Sequence, residues 1–127
     1  MNKRYGDRVT FLAVYVREAH PADAASSAGN ESAGIVVKQP RSLEDRTEVA
    51  KVCTKKLDIT MPLLVDTIDD RVGNAYSGMP DRLYVIDQKG KVAYQSGRGP
   101  FGFKAGEMEQ SLIGLLLDQA AQAKPAK

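Results

Sequence analysis

The feature that most restricts the fold is the run Val9-Thr10-Phe11-Leu12-Ala13-Val14-Tyr15-Val16. It is rich in β-branched and aromatic residues and almost continuously apolar, the pattern of a central strand buried on both faces of a sheet. Such a strand needs cover on each face, so the rest of the chain must supply helices. Two segments fit. Ser42 is a candidate N-cap, with Glu44 and Asp45 in the first turn, where the helix dipole favours negative charge. Residues 46–57 then place Val49, Ala50, Cys53 and Leu57 at spacings of three and four, giving one apolar face. Near the C-terminus, residues 107–122 carry Met108, Leu112, Leu115 and Leu116 on one helical face.

Between these helices lie shorter elements. Residues 61–66 read as a second strand and residues 69–76 as a short helix ending near Gly78. Residues 83–87 and 91–95 flank a Gln88-Lys89-Gly90 turn, a strong hairpin signal because glycine supplies the positive φ of a tight turn. The stretch from Arg17 to Gly34 is dominated by Ala, Ser, Gly, Asp and Asn and reads as a long loop leaving the first strand. The order is therefore strand, helix, strand, helix, hairpin, helix. This is an α/β pattern that matches the later part of a thioredoxin-like fold, a mixed sheet flanked by helices. Its first strand and most of its first helix are missing, and Met1 to Gly6 reads as the last turn of that helix. We expect one incomplete domain over residues 1–122 and a frayed polar tail over 123–127.

Composition closes off several functions. A length of 127 residues, 43% of them hydrophobic, suits one core and not two. Eighteen Lys and Arg against sixteen Asp and Glu leave a net charge of +2, and the basic residues are scattered, which argues against nucleic acid as a partner. No apolar run reaches the roughly 18 to 20 residues that cross a bilayer. No membrane span is therefore expected within the chain, and with no export signal visible the expected location is cytoplasmic. One cysteine, Cys53, allows no internal disulfide, and a single histidine offers no zinc-ligand spacing. No cofactor is expected. Cys53, on the apolar face of a helix, reads as an inert small hydrophobe and not as a nucleophile.

Four segments together resemble the iodothyronine deiodinases and their bacterial relatives: residues 11–23 (FLAVYVREAHPAD), 62–67 (PLLVDT), 80–86 (PDRLYVI) and 97–103 (GRGPFGF). The Tyr-x-x-Glu-Ala-His-x-x-Asp spacing in the first is the most specific of these, and the resemblance covers the chain after Tyr5. It implies an oxidoreductase, often a selenoprotein, that removes iodine reductively from an aromatic ring. A selenolate or thiolate attacks the halogen and the ring carbon takes up a proton. By the resemblance, Glu18 and His20 stand at the catalytic relay positions, just past the end of the first strand. Arg98 stands at a substrate-clamping position, Pro80 where thioredoxin-like domains carry a cis-proline, and Phe101 where an aromatic can wall the substrate site. The partners implied are a small aromatic substrate, halogenated in the family's own reaction, and a thiol reductant.

The chain departs from the family in three places. The second histidine that vertebrate members carry in the segment here written Lys38-Gln39-Pro40-Arg41 is absent, and the usual Gly-Trp after Asp23 is Ala24-Ala25. The nucleophile is also absent. Because Met1 falls inside an expected helix, we expect a C-terminal piece of a longer product, truncated at a selenocysteine codon read as a stop. Such a piece is inactive by itself, and its exposed sheet edge is a candidate surface for a homodimer. Two other readings remain open: a binding or interaction module of the same fold that has lost its chemistry, and a generic thioredoxin-like peroxidase relative in which Glu18, His20 and Arg98 share no role.

Overall fold

The computed structural model describes residues 1–21, 34 and 37–124. Most of the loop expected from Arg17 to Gly34, including Asp23 and Ala24-Ala25, and the last residues of the expected tail lie outside the described residues. The chain is mixed α/β and divides into two compact units, Met1–Met79 and Pro80–Lys127.

In the first unit the order is α1 (Asn2–Tyr5), β1 (Ala13–Tyr15), α2 (Leu43–Lys56), β2 (Leu63–Val65) and α3 (Arg71–Ala75). The helical turn expected at the N-terminus is α1, in which Tyr5 is buried and the guanidinium groups of Arg4 and Arg8 lie 5.9 and 5.7 Å from its ring centre. β1 pairs in parallel with β2, Ala13 opposite Leu63 and Tyr15 opposite Val65. The eight-residue central strand expected from residues 9–16 is thus only three residues long. It is not covered on both faces either, since Leu12 is 55% and Val14 40% exposed. Their neighbour Leu64 is also exposed. An apolar composition reports a preference for burial, and that preference is met only where another element lies against the strand.

α2 begins as expected. The Ser42 hydroxyl accepts the Asp45 N–H at 3.0 Å, and Glu44 and Asp45 occupy the first turn. Its buried face is Arg46, Ala50 and Cys53, four and three residues apart, whereas Leu57 of the expected apolar face is 55% exposed. The exchange of a leucine for an arginine on the buried side has an electrostatic cause. Arg46, 2% exposed, donates to the Thr67 carbonyl at 2.6 Å and lies 2.8 Å from Asp70 Oδ1, as an ion pair and not an aligned hydrogen bond. Arg46 Nε finds no hydrogen-bond partner among the described residues.

Asp66, also 2% exposed, closes β2 onto α3. Its carboxylate accepts the N–H groups of Thr67 (2.8 Å), Val72 (2.9 Å) and Gly73 (2.7 Å). Burial works to raise the Asp66 pKa, but these three N–H groups and the Arg46 charge outweigh it and hold the carboxyl below the usual carboxylate range. Two of the orphan donors at the start of α3 are satisfied in this way. Asp70, which precedes the helix in the left-handed region at φ 58°, makes no side-chain cap of its own.

The second unit holds β3 (Tyr84–Ile86), β4 (Val92–Gln95) and α4 (Ala105–Ala123). β3 and β4 form the expected antiparallel hairpin, with a register shift between Val85 and Ile86. The Asp87 carboxylate accepts the N–H groups of Lys89 (2.8 Å) and Lys91 (2.9 Å), and Gly90 takes the positive φ of 78° that the turn requires. α4 packs on both strands, with Leu112 and Val85 buried and Met108, Leu115 and Leu116 half-buried on the same helical side. It runs one residue into the segment expected as tail.

Two expectations are corrected. The described strands form two separate two-stranded sheets, one parallel and one antiparallel, in place of one continuous mixed sheet. Each described strand therefore hydrogen-bonds along one edge only. The Met79–Pro80 bond is trans, the ordinary preference of an X–Pro amide; the cis bond lies at Gly99–Pro100.

Candidate functional site

The sequence candidates fall into two groups, one in each unit. In the first, β1 delivers Tyr15 at its end and the chain turns away, so that residues 15–20 form a compact polar cluster. The Tyr15 hydroxyl donates to Glu18 Oε2 at 2.6 Å, the short distance of a charge-assisted hydrogen bond. The other carboxylate oxygen, Oε1, accepts the backbone N–H of His20 at 3.4 Å. Glu18 is half-buried and His20 exposed. The motif therefore folds around the carboxylate: the residue three before it and the backbone of the residue two after it both address Glu18.

Burial, then the Glu18 hydrogen bond and charge, push the Tyr15 hydroxyl well above the ordinary tyrosine range. The Tyr15 hydroxyl thus keeps its proton and serves Glu18 as a hydrogen-bond donor near neutral pH. Burial, and after it the Glu18 charge, also raise the Cys53 thiol. A buried thiol kept protonated beside a carboxylate is a poor nucleophile, in agreement with the inert role expected for Cys53.

The sequence reading missed one member of this cluster. Gln39 accepts the Glu18 N–H at 3.1 Å and donates to the Glu18 carbonyl at 3.0 Å. It lies 21 residues along the chain, in the Lys38–Arg41 segment that had been noted only for lacking a histidine. The same segment lines an open cleft of about 590 Å³ with Asp45, Glu48 and Val49 of α2. The role of Tyr15 was missed as well, although its place at the head of the Tyr-x-x-Glu-Ala-His pattern was the available signal.

In the second unit, Pro80, Arg98 and Phe101 are brought near one another by the hairpin ends. The Gly99 N–H donates to the Asp81 carbonyl at 3.0 Å, joining the two motif segments, and the Gly102 N–H donates to the Arg98 carbonyl at 2.8 Å. Gly97 and Gly102 approach so closely that a side chain on Gly102 would collide with the Gly97 backbone. Beneath this loop the buried Ser96 hydroxyl accepts the Leu83 N–H at 2.9 Å and donates to the Gly97 carbonyl at 2.7 Å. The outcome is a firmly tied loop that presents Arg98 to solvent and leaves Phe101 92% exposed. Pro80 is exposed too.

Comparison with known proteins gives a consistent answer. The sequence model of the family described as iodothyronine deiodinase matches residues 1–114. The chain is 38% identical over 105 residues to the thyroxine 5-deiodinase of Rattus norvegicus, covering 83% of this chain and 33% of that one. It is 40% identical over 102 residues to the Gallus gallus thyroxine 5-deiodinase (80% and 38%), and 34% identical over 122 residues to that of Sparus aurata (93% and 44%). The chain thus spans about a third of the length of the mammalian relatives it matches. The comparison also overturns the cytoplasmic location expected from the sequence, because deiodinase relatives are membrane proteins. No helix among the described residues is long and apolar enough to cross a membrane, which by itself assigns no compartment. By a family match over most of its length and by identities of this size across four-fifths of its residues, the chain belongs to the iodothyronine deiodinase family.

Proposed function

We propose that this chain carries the proton-relay and substrate-holding parts of a thiol- or selenol-dependent reductive deiodinase, on a single thioredoxin-like domain over residues 1–122. The observation that carries this reading is the 2.6 Å hydrogen bond from Tyr15 to Glu18 inside the Tyr-x-x-Glu-Ala-His pattern. In the reaction a selenolate or thiolate attacks iodine, the carbon–iodine bond breaks, and the electron pair left on the ring carbon is captured by a proton. A thiol reductant then releases iodide from the oxidised nucleophile. Glu18, with Tyr15 fixed as its donor, and His20 beside it are the groups that pass the proton. Arg98 clamps an anionic or phenolic end of the substrate, Phe101 stacks on its ring, and Pro80 borders the same loop.

The nucleophile of this reaction is not Cys53, whose thiol is buried and held protonated. Activity therefore depends on a segment beyond these 127 residues, and the chain by itself is inactive. The same burial favours, as second reading, a binding module that keeps the substrate loop without the chemistry.

Iodide release from 3-iodophenols with dithiothreitol separates the two. The chain alone is expected to release none, and the chain joined to the segment encoded upstream of it is expected to release iodide. In that longer protein Glu18→Gln or His20→Ala should lower kcat by about 10²-fold or more, the usual scale for removing a general acid or base. No release from the longer protein would leave the binding module, and unchanged turnover in His20→Ala would leave the generic thioredoxin-like peroxidase relative.

A further inference from the structure

The carboxylate of Glu18 can serve a relay only if its backbone is held, and β1 does not hold it, because the strand ends at Tyr15. Past the end of a ladder, each peptide N–H and C=O needs another partner. Gln39 meets both needs of one peptide unit. Its Oε1 accepts the Glu18 N–H at 3.1 Å and its Nε2 donates to the Glu18 carbonyl at 3.0 Å, so a single side chain imitates a neighbouring strand. The clamp has firm footing, since Gln39 is followed by buried Pro40 and then by the Ser42 cap of α2. Only an amide offers one acceptor and one donor at this spacing. A glutamate would lose the donor, a lysine would lose the acceptor, and an asparagine would be one methylene short.

Resting on the deiodinase reading above, we infer that Gln39 is a positioning residue: its amide grips the backbone of Glu18 and so keeps the carboxylate on the Tyr15 hydroxyl. Through this contact the segment before α2 sets the geometry of the relay without touching the substrate. In this chain the Lys38–Arg41 segment serves the relay by hydrogen bonding to a backbone, a task that requires no titratable group.

The test uses the 127-residue chain carrying ¹⁵N and ¹³C at tyrosine Cζ and glutamate Cδ. In Gln39→Ala, exchange of the Glu18 amide should accelerate by about tenfold or more, the scale of one lost hydrogen bond. The Tyr15 Cζ resonance should move toward its position in Glu18→Gln, and the Glu18 Cδ resonance toward its position in Tyr15→Phe. Faster exchange with both carbons unmoved would mean that Gln39 only staples two chain segments, and unchanged exchange would mean that it does not hold Glu18; either result overturns the inference. Should Gln39→Ala fail to fold, Gln39→Met keeps a similar volume, removes both hydrogen bonds and is read in the same way. In a longer protein that releases iodide, Gln39→Ala should lower kcat by about tenfold with KM within about twofold. Unchanged kcat there, with the carbons displaced, also overturns it. An inactive wild type in which the resonances still move would defeat the deiodinase reading and leave the clamp in place.

Discussion

The two units are held by different kinds of interaction. The first, Met1–Met79, has two charged groups among its most buried side chains, Arg46 and Asp66, and the apolar residues buried with them among the described residues are small or few: Tyr5, Pro21, Pro40, Ala50 and Cys53. The second, Pro80–Lys127, centres on Val85 and Leu112 in a hairpin with a helix against it, and Ser96 is its buried polar residue. One unit joins segments far apart in sequence through polar contacts with fixed geometry. The other joins near neighbours through apolar contact, which tolerates displacement. The first unit should therefore respond sharply to pH and to loss of one charge, and the second to loss of volume.

Arg46→Ala is the severest way to break this contrast. It leaves Asp70 and the Thr67 carbonyl without their partner and should cost about 3 kcal/mol, the scale for breaking a buried pair. Urea unfolding should show the loss, with hydrogen exchange faster in β1, β2 and α3 and little altered in β3 and β4. Equal loss in both units would show that they unfold as one. Leu112→Ala is the converse and should cost about 2 to 3 kcal/mol through its cavity, read as faster exchange in the β3–β4 ladder first.

Asp66→Asn should cost about 2 kcal/mol near neutral pH, because a buried amide cannot accept from three N–H groups as a carboxylate does. Its pH dependence sharpens the comparison. A carboxyl with a depressed folded-state pKa contributes stability above its ordinary value and loses it as pH falls through the folded value. Protection of the first unit should accordingly decline below about pH 4 while the hairpin persists, and Asp66→Asn should flatten that decline. The opposite sign applies to Tyr15. With its pKa raised, its contribution is complete below the ordinary tyrosine value and disappears at higher pH, so Tyr15→Phe should reduce alkaline sensitivity in a pH series of thermal melts. The smallest effect expected is that of Gly90→Ala, about 1 kcal/mol. The site has open space around it, so only the positive φ opposes the new side chain, and Tm should fall slightly without a change in the denaturant slope.

How much was legible from the sequence depends on the range of the interaction concerned. The Ser42 cap, the Gly90 turn, the hairpin and the apolar side of α4 are encoded within a few residues, and each lies where the pattern puts it. The long buried strand was misread because β-branched, aromatic composition states what a segment favours and not what lies beside it, and Val14 and Leu64 are exposed in the parallel pair. Leu57 was assigned to the buried face of α2 by periodicity, and Arg46 took a place there because Thr67 and Asp70 compensate its charge. No pattern within the helix announces that compensation.

The candidate site divides along the same line. Glu18, His20 and Arg98 were named from a motif, and the Tyr15–Glu18 bond is local enough to follow from a spacing of three residues. Gln39 is different. Its two bonds to Glu18 span 21 residues and involve backbone atoms, which every residue possesses, so neither end leaves a mark in composition or spacing. By itself, then, the sequence determined the family, the order of elements, and the caps and turns, because those depend on residue type and near neighbours. Tertiary structure alone decided that Arg46 and Asp66 lie buried, that Leu12 and Val14 do not, and that Gln39 holds Glu18, because burial and backbone hydrogen bonding depend on what the chain brings alongside.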